Sequence, residues 1–406
     1  MAQNYFKQKL RQVTRIKSRA LILILTHTVW LFFLTYLLQF VGYTRAEETG
    51  FFKWFNIFKH NVFRFDQKPF YDQFIFVDIS KDPEIVKDTG LNTGKVVIAD
   101  RKLLTTFFDT LADHPKDYRF VLCDLAFDYP SPEDFSLSSA LEATKKLVIA
   151  QSVNEEEMPV PSLFKVNSGV TSYAKNNNSF VKLPLFFKDT IASLPVKLID
   201  LESPGRFTQV KGFTFDNNKL IFNTIIPDFY YRTIDIGKEA NSDHPANLIL
   251  LHEMLTDADW FNDYLKGKYI LIGDSTELHD TYLGKMPGTL ILFDCYLTLR
   301  EKHLYLSWRW ILIVFITYFL ISLNLFITKA YVDDLAEKVE IPFLKSFFTK
   351  YIPYLAIMLV LDLISYSFFG VFISLFFLAT YLTFVKVFLE KRDRYLQTGK
   401  WIEFIK

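Results

Sequence analysis

The sequence predicts an extracellular α/β domain with a mainly parallel sheet, carried by four transmembrane α-helices, one N-terminal and three C-terminal. Two observations predict this architecture. Apolar residues make up 50% of the 406-residue chain and are concentrated in a few nearly charge-free stretches. Between the first and second of these stretches, short apolar runs of strand length alternate with helical patterns, which is typical of βαβ units.

Four apolar stretches have the length of membrane spans. Residues 20–41 contain no charge apart from that of His27, and residues 307–328 open with two tryptophans that suit an aromatic belt. The run 351–389 is too long for one helix and contains Gly370, which predicts a hairpin of two spans. The predicted spans are therefore residues 20–41, 307–328, 351–369 and 371–389.

Lysine and arginine near the spans predict their orientation. The N-terminal arm, residues 1–19, is basic and has no acid, and the tail, residues 390–406, is rich in basic residues. Such flanks mark the cytoplasmic side, so both termini are predicted to be cytoplasmic. Residues 43–306 then form a domain on the outer side of the membrane, called here the α/β domain. Residues 329–350 form a cytoplasmic connector whose pattern suits an amphipathic surface helix.

Within the α/β domain, four apolar runs are continuous enough to be buried strands of a parallel sheet. Helical spacing is found between and after them, at 101–112, 132–145 and 290–300. A less regular insertion contains one predicted hairpin, with its turn at residues 216–218. The four predicted strands are residues 73–79, 119–127, 146–153 and 269–274.

Charge and cysteine content narrow the class of protein. The chain has 46 basic and 45 acidic residues, so its charge gives no reason to expect nucleic-acid binding. It lacks the signatures of phosphate-binding loops, serine-hydrolase elbows, zinc proteases and dinucleotide-binding folds. Because those enzyme signatures are missing, we expect no enzyme and no cofactor.

Cys123 and Cys295 lie in apolar runs and are interpreted as buried small side chains, with one disulfide as the alternative.

An aspartate recurs at the carboxyl end of the predicted strands, where open α/β sheets bind ligands. These aspartates and their neighbours predict one acidic pocket for a hard cation or a polar solute, and the presence of a metal is left open. The alternative is structural, because aspartate at a strand end commonly caps a helix or fixes a turn. The candidate ligand-binding residues are Asp78, Arg101, Asp124, Asp128, Asp134, Asp274 and Asp280.

Two of the ionisable residues within the predicted spans are candidates for a special role. His27 is in the first span and Asp362 is in the third. A charge at this depth is costly and normally faces protein or water. We interpret both as helix–helix contacts, with a proton relay as the alternative.

The two ends of the α/β domain carry motifs in a particular order. The first end has FVDIS at 76–80 and CDLAFDYP at 123–130, and the last has LKGKYILIGD at 265–274 and HDTYLGKMPG at 279–288. With one membrane helix before the domain and three after it, this pattern resembles the type-two CHASE domain, the extracellular sensory domain of bacterial cyclases and histidine kinases. The resemblance covers about residues 50–389 and implies a sensory role.

The resemblance therefore implies a sensor in a bacterial inner (plasma) membrane, whose periplasmic domain, residues 43–306, detects a solute or an envelope partner. Members of this family normally signal to a cyclase, kinase or phosphatase attached after the last helix. Because this sequence ends at Lys406, the resemblance implies a separate effector polypeptide. The alternatives are a non-switching scaffold of a cell-envelope assembly, a proton-coupled transporter and an extracellular hydrolase. The expected partners are the lipid bilayer and the effector or envelope protein, and homo-oligomerisation is left open.

Overall fold

The computed structural model divides the chain into two compact units. One comprises Met1–Val41 and Leu306–Lys406, and the other comprises Gly42–Tyr305. The first is called here the membrane unit, and the second corresponds to the predicted α/β domain. The structure describes residues 18–40, 50–51, 53–55, 73–87, 95–154, 158–172, 174–176, 179–188, 190–231, 236, 247–257, 259–301, 306–328 and 351–398.

The described residues form the following elements in chain order. The helices are α1 (Ser18–Phe40), α2 (Arg101–Asp113), α3 (Asp134–Ala143), α4 (Leu194–Glu202), α5 (Leu251–Leu255), α6 (Gly288–Glu301), α7 (Trp308–Leu323), α8 (Ile352–Phe369) and α9 (Leu375–Thr398). The strands are β1 (Phe74–Asp78), β2 (Pro83–Lys87), β3 (Lys95–Ala99), β4 (Val121–Cys123), β5 (Leu147–Gln151), β6 (Ser168–Val170), β7 (Ala174–Asn176), β8 (Ser179–Pro184), β9 (Phe186–Phe187), β10 (Ile191–Ala192), β11 (Phe207–Val210), β12 (Phe213–Asp216), β13 (Lys219–Ile221), β14 (Thr224–Ile225), β15 (Leu248–Leu250), β16 (Tyr269–Gly273), β17 (Leu278–Thr281) and β18 (Gly284–Pro287). Short π-helical segments cover Phe261–Leu265 and Asn324–Thr328.

The α/β domain is built on a six-stranded sheet in the order β15-β1-β16-β4-β5-β6. Every pair of neighbouring strands in it is parallel. The four predicted strands are β1, β4, β5 and β16, which lie next to one another at its centre. Their apolar runs are continuous because both faces of the sheet are covered. The predicted parallel sheet is therefore confirmed.

Helices cover the two faces of this sheet. On one face, strand residues such as Ile75 pack with the apolar sides of α2 and α3 in a single buried cluster. On the other face, Phe74 contacts Phe293 of α6, and Phe120 contacts Tyr296, with ring centroids 5.2 and 4.8 Å apart. Alternate residues of each strand therefore pack against helices on opposite faces of the sheet, because successive side chains of a strand point to opposite faces.

Helix α6 is enclosed on every side. Each residue from Thr289 to Leu299 is buried, including the polar ones. The Asp294 carboxylate accepts a hydrogen bond from the backbone N–H of Tyr231 at 3.1 Å, and the Thr298 hydroxyl accepts one from the N–H of Asp228 at 3.0 Å. These polar groups fix the segment 228–231 against the helix, so α6 is the structural centre of its face.

The insertion between β6 and β15 contains mainly short antiparallel pairings. Strands β12 and β13 pair around a turn in which Asn217 and Asn218 have φ values of 48° and 64°. Two consecutive left-handed residues are typical of a tight hairpin turn, so the predicted hairpin is confirmed. Strands β14, β8, β17 and β18 form a second sheet, with β7 paired to β8.

Three helices of the described membrane unit are long and apolar enough to cross a membrane. They are Ser18–Leu38, Trp308–Ile327 and Ile352–Phe369. They coincide with the first three predicted spans, so the prediction of a membrane-associated chain is supported by length and composition.

The predicted fourth span, residues 371–389, is not among these candidates. Gly370 ends α8 in the left-handed conformation, with φ of 67°, and residues 371–374 are not helical. Helix α9 therefore begins at Leu375, four residues later than predicted, and its second half is rich in charged residues. Parts of three other predicted regions lie outside the described residues, namely residues 1–17 of the arm, the connector 329–350 and residues 399–406 of the tail.

Candidate ligand-binding site

A cavity of about 260 Å³ opens at the carboxyl edge of the parallel sheet, where β4 and β16 end and α6 begins. This edge is the usual binding place in open α/β sheets. Its polar wall is formed by Asp124, Asp274, Glu277 and His279, and its apolar wall includes Phe180 and Ile291. Of the seven aspartate and arginine residues proposed from the sequence, the structure brings Asp124 and Asp274 together here.

Asp124 directly follows β4, and its side chain reaches the first turn of α6. Its Oδ2 accepts a 3.0 Å hydrogen bond from the hydroxyl of Thr289. Burial raises the pKa of Asp124 to about 7; the Thr289 hydrogen bond acts to lower it and the charge of Glu277 acts to raise it. Asp124 therefore changes charge near neutral pH. It attracts a cation as a carboxylate and donates a hydrogen bond as an acid.

The ends of β4 and β16 lie close to the first turn of α6, and two glycines leave the space that this close packing needs. A Cβ atom on Gly273, the last residue of β16, would lie 1.9 Å from the Oγ1 of Thr289. A Cβ atom on Gly288, the first residue of α6, would lie 3.0 Å from Asp124 Oδ2 and 3.1 Å from His279 Nε2. The carboxylate and the imidazole thus flank the same backbone position, which a larger residue would crowd.

Asp274 has a structural role in the pocket wall. Its Oδ1 accepts hydrogen bonds of 2.6 to 3.2 Å from the N–H and hydroxyl of Thr276 and from the N–H of Glu277. These bonds fix the turn between β16 and β17. The turn carries Glu277 and His279 to the cavity, where Glu277 Oε1 lies 3.9 Å from His279 Nε2.

Asp78 lies at the end of β1 and is not part of the cavity lining. It is 3% exposed and accepts four hydrogen bonds of 2.5 to 3.1 Å, from the N–H and hydroxyl groups of Ser80 and Ser275. The carboxylate therefore ties the loop after β1 to the loop after β16. The structure gives Asp78 the turn-fixing role, and no ligand is needed to account for it.

Arg101 and Asp134 form a second charged cluster, separate from the cavity lining. Their Nε and Oδ1 atoms are 3.5 Å apart, and the guanidinium lies 4.4 Å from the ring centroid of Phe127. Glu84 closes the cluster by accepting hydrogen bonds from the Arg101 N–H and the Ser131 hydroxyl. Burial lowers the pKa of Arg101 and the two carboxylates oppose that change. The cluster joins β2, α2 and α3.

The remaining two predicted residues are exposed. Asp128 accepts a 2.9 Å hydrogen bond from Ser152, and Asp280 lies in β17 opposite Lys285 of β18. Neither lines the cavity.

The sequence reasoning missed Glu277, His279 and Thr289 as members of the site. His279 stands within the HDTYLGKMPG motif, which was read only as part of a family resemblance. Thr289 lies one residue after the last glycine of that motif, at the first turn of a helix. The sequence did contain one sign of this site: Thr289 is a polar residue in the first turn of a helix that begins at the sheet edge, and the first turn of a helix is a common place for polar contacts.

Both cysteines are buried and unpaired with each other. Cys123 ends β4 and Cys295 lies in α6, and each is present as a free thiol. Burial raises the pKa of both thiols above the ordinary value. They are therefore inert apolar side chains, and the alternative of a disulfide is not realised.

Of the two ionisable residues interpreted as helix contacts, His27 joins two helices and Asp362 holds the turn between α8 and α9. His27 Nδ1 of α1 lies 2.7 Å from the Ser322 hydroxyl of α7. Asp362 of α8 accepts a 2.7 Å hydrogen bond from the N–H of Ile373, in the non-helical turn before α9. Each side chain thus fixes a helix or a turn, which is the usual role of a polar group inside a helical bundle.

Among the described residues, no group of three or more His, Cys, Asp or Glu side chains is placed to hold a metal ion. No protein-family model matches the chain, and searches among curated proteins and solved structures also gave no match. The resemblance to the type-two CHASE domain therefore stays a prediction from the sequence.

Proposed function

We propose that this protein is an inner-membrane receptor whose α/β domain binds a small polar solute in the cavity at the sheet edge and signals through a separate effector polypeptide. The observation that carries the proposal is the position of α6. Its first turn holds Asp124 through Thr289. Its last residue, Glu301, precedes the second membrane span by only the short segment 302–307. One continuous helix thus leads along the chain from the cavity towards a span.

The cavity supports a small ligand with a cationic or hydrogen-bond-donating group. Its volume of about 260 Å³ is below the range of about 300–1,000 Å³ that is usual for drug-sized ligands. The carboxylates of Asp124 and Glu277 favour positive charge, while Phe180 and Ile291 provide apolar contact. Inorganic cations are a weaker match because Asp274 already uses Oδ1 within its own turn.

The proposed topology places both termini in the cytoplasm and the α/β domain in the periplasm, with α9 as the fourth membrane helix. Basic residues flank the first span and follow the apolar part of α9, as the positive-inside rule requires. Signal transfer is a shift between packings of α1 and α7 that exist before ligand binding. Polar contacts between these helices join His27 to Ser322 and Thr35 to Tyr318, at 2.7 and 2.6 Å.

Two measurements on the full chain test the proposal. Affinity purification from the native membrane in mild detergent, followed by mass spectrometry, is expected to recover a kinase, cyclase or other regulator in stoichiometric amount. Thermal unfolding is then followed with ethylamine, putrescine, glycine, acetate and magnesium as separate probes. We expect the amines to raise the unfolding temperature of the wild type and to lose this effect in Asp124→Asn. A chain recovered alone, with no probe effect, contradicts the proposal.

A non-switching scaffold of a cell-envelope assembly is the second candidate, and one surface favours it. Strands β2 and β3 form a two-stranded hairpin in which Ile85 pairs with Val97. Both side chains are about two-thirds exposed, at 64% and 66%. An exposed apolar pair of this kind is suited to docking another protein. A scaffold would keep its envelope partners after Asp124→Asn and lose them after Ile85→Ser with Val97→Ser.

A further inference from the structure

The membrane unit contains an apolar groove beside the hairpin of α8 and α9. The cavity measures about 340 Å³ and its lining is almost wholly apolar. One wall is the outer side of α9, where Phe384 and Phe388 are 65% and 50% exposed. The lining residues are Tyr351, Thr380, Thr383, Phe384, Val387, Phe388 and Lys391.

The length of the groove matches one leaflet of a bilayer. From Thr380 to Lys391 the lining extends over twelve residues of α9, and the eleven steps between them span about 16 Å at 1.5 Å per residue. Half of the hydrocarbon core of a bilayer is about 15 Å thick. An acyl chain that enters at the Lys391 end would therefore reach close to the middle of the membrane.

The two ends of the groove differ in chemistry. Tyr351 stands at the start of the apolar span α8, and Lys391 follows the last apolar turn of α9. An aromatic ring and a lysine at the end of a span are typical of the membrane–water interface. The lysine ammonium attracts negative groups, while at the other end the described lining residues, Thr380 and Thr383, are uncharged.

We infer that this groove binds one anionic phospholipid, with an acyl chain along Thr383, Phe384 and Val387 and its phosphate headgroup at Lys391. The occupant is a lipid because the groove is apolar along its length, as deep as a leaflet and basic at one end. The inference rests on the proposed placement of α9 in the membrane and not on the ligand cavity of the α/β domain. Lipid binding is measured without any solute ligand. A failure of the lipid proposal can therefore be distinguished from a failure of the proposed ligand cavity.

The test is native mass spectrometry of the full chain, released from vesicles of phosphatidylcholine with phosphatidylglycerol. We expect the wild type to retain one lipid and to prefer phosphatidylglycerol about fivefold, the effect of about 1 kcal/mol for one lysine near a membrane surface. Val387→Trp fills the groove and is expected to abolish retention. Lys391→Gln keeps the acyl contact and is expected to bring the headgroup preference close to one.

Two variants serve as matched controls. Val360→Trp adds the same ring at a position that is 56% exposed and outside the groove, and Arg392→Gln removes a charge that pairs with Asp393 at 3.1 Å. Both are expected to retain lipid as the wild type does. Should Val387→Trp fail to fold, Thr380→Phe fills the groove from its exposed side. Retention unchanged in a folded groove-filling variant, or a wild type that retains no lipid, overturns the inference.

Discussion

The hydroxyl of Thr289 donates a 3.0 Å hydrogen bond to the carboxylate of Asp124. This bond joins the first turn of α6 to the carboxyl end of β4, so the acid of the cavity and the helix that leads towards a membrane span are held by one contact. A ligand that competes for Asp124 changes the environment of α6 directly.

The raised pKa of Asp124 predicts a pH-dependent stability. Its pKa is about 7 in the folded protein, against an ordinary value of 3.8, so between these values the folded state holds a proton that the unfolded state has released. The free energy of unfolding is therefore expected to fall as the pH rises from about 4 to about 7. Above about pH 7, Asp124 causes no further change. Asp124→Asn removes this contribution.

The measurement is the unfolding temperature of the full chain in detergent across that pH range. Asp280→Asn is the matched control, because it removes an exposed aspartate outside the cavity. It is expected to keep the wild-type profile. Identical profiles for Asp124→Asn and the wild type would show that this carboxyl does not titrate near neutral pH.

The contact between β16 and α6 predicts a strong effect of Gly273→Ala. The added Cβ would lie 1.9 Å from the Thr289 Oγ1, so the helix or the hydroxyl must move. Overpacking of this kind costs about 1–3 kcal/mol, and we also expect the Asp124 hydrogen bond to be lost. Chemical denaturation checks the stability. Gly50→Ala, with no atom within 4 Å of the added Cβ, is the control and is expected to be neutral.

The Arg101 cluster predicts a role in stability rather than in ligand binding. Arg101→Gln leaves the carboxylate of Asp134 without its cation and removes the positive charge near Glu84, and breaking a buried pair costs about 3 kcal/mol or more. The hydrogen bond from the backbone N–H of residue 101 to Glu84 is kept. The amine-induced rise in unfolding temperature is expected to persist. Arg119→Gln changes an exposed arginine and is expected to stay within about 0.5 kcal/mol of the wild type. A stable Arg101→Gln protein that no longer responds to amines would reverse this assignment.

Two substitutions of Asp362 distinguish a structural role of this residue from a role in a proton relay. In Asp362→Asn the amide oxygen still accepts from the N–H of Ile373, so folding and phenotype are expected to be retained. Asp362→Leu leaves that buried N–H unpaired and is expected to destabilise the membrane unit by about 1–3 kcal/mol. Thermal unfolding in detergent and complementation in the native host check both. A folded Asp362→Asn protein with no activity in the host would favour the relay.

The sheet was predictable because buried parallel strands are marked by continuous apolar runs, and those of β1, β4, β5 and β16 are long and distinct. The same pattern also predicts the edge of the sheet where the cavity lies, because the carboxyl ends of parallel strands meet at one edge. The pattern does not predict which aspartate lines the cavity and which one fixes a turn. Asp78 and Asp124 lie at the ends of β1 and β4, the two strands that flank β16, in similar sequence contexts. The serines around Asp78 and the threonine beside Asp124 distinguish their roles.

The hairpin of α8 and α9 shows a similar limit. Gly370 marked the break between α8 and the next helix, and its left-handed conformation bears this out. The four non-helical residues after it were not predicted, because the backbone N–H of one of them, Ile373, is held by the side chain of Asp362 in α8. Hydropathy reports composition and carries no information about such a capping contact.

The all-round burial of α6 has a consequence for dynamics. A helix with no solvent face cannot tilt or slide by itself, because each displacement opens packing on several sides at once. Its backbone amides are therefore expected to be among the last in the chain to exchange with deuterium. If α6 does respond to a ligand, the response is a concerted rearrangement of the domain, and its dose dependence is that of a two-state switch.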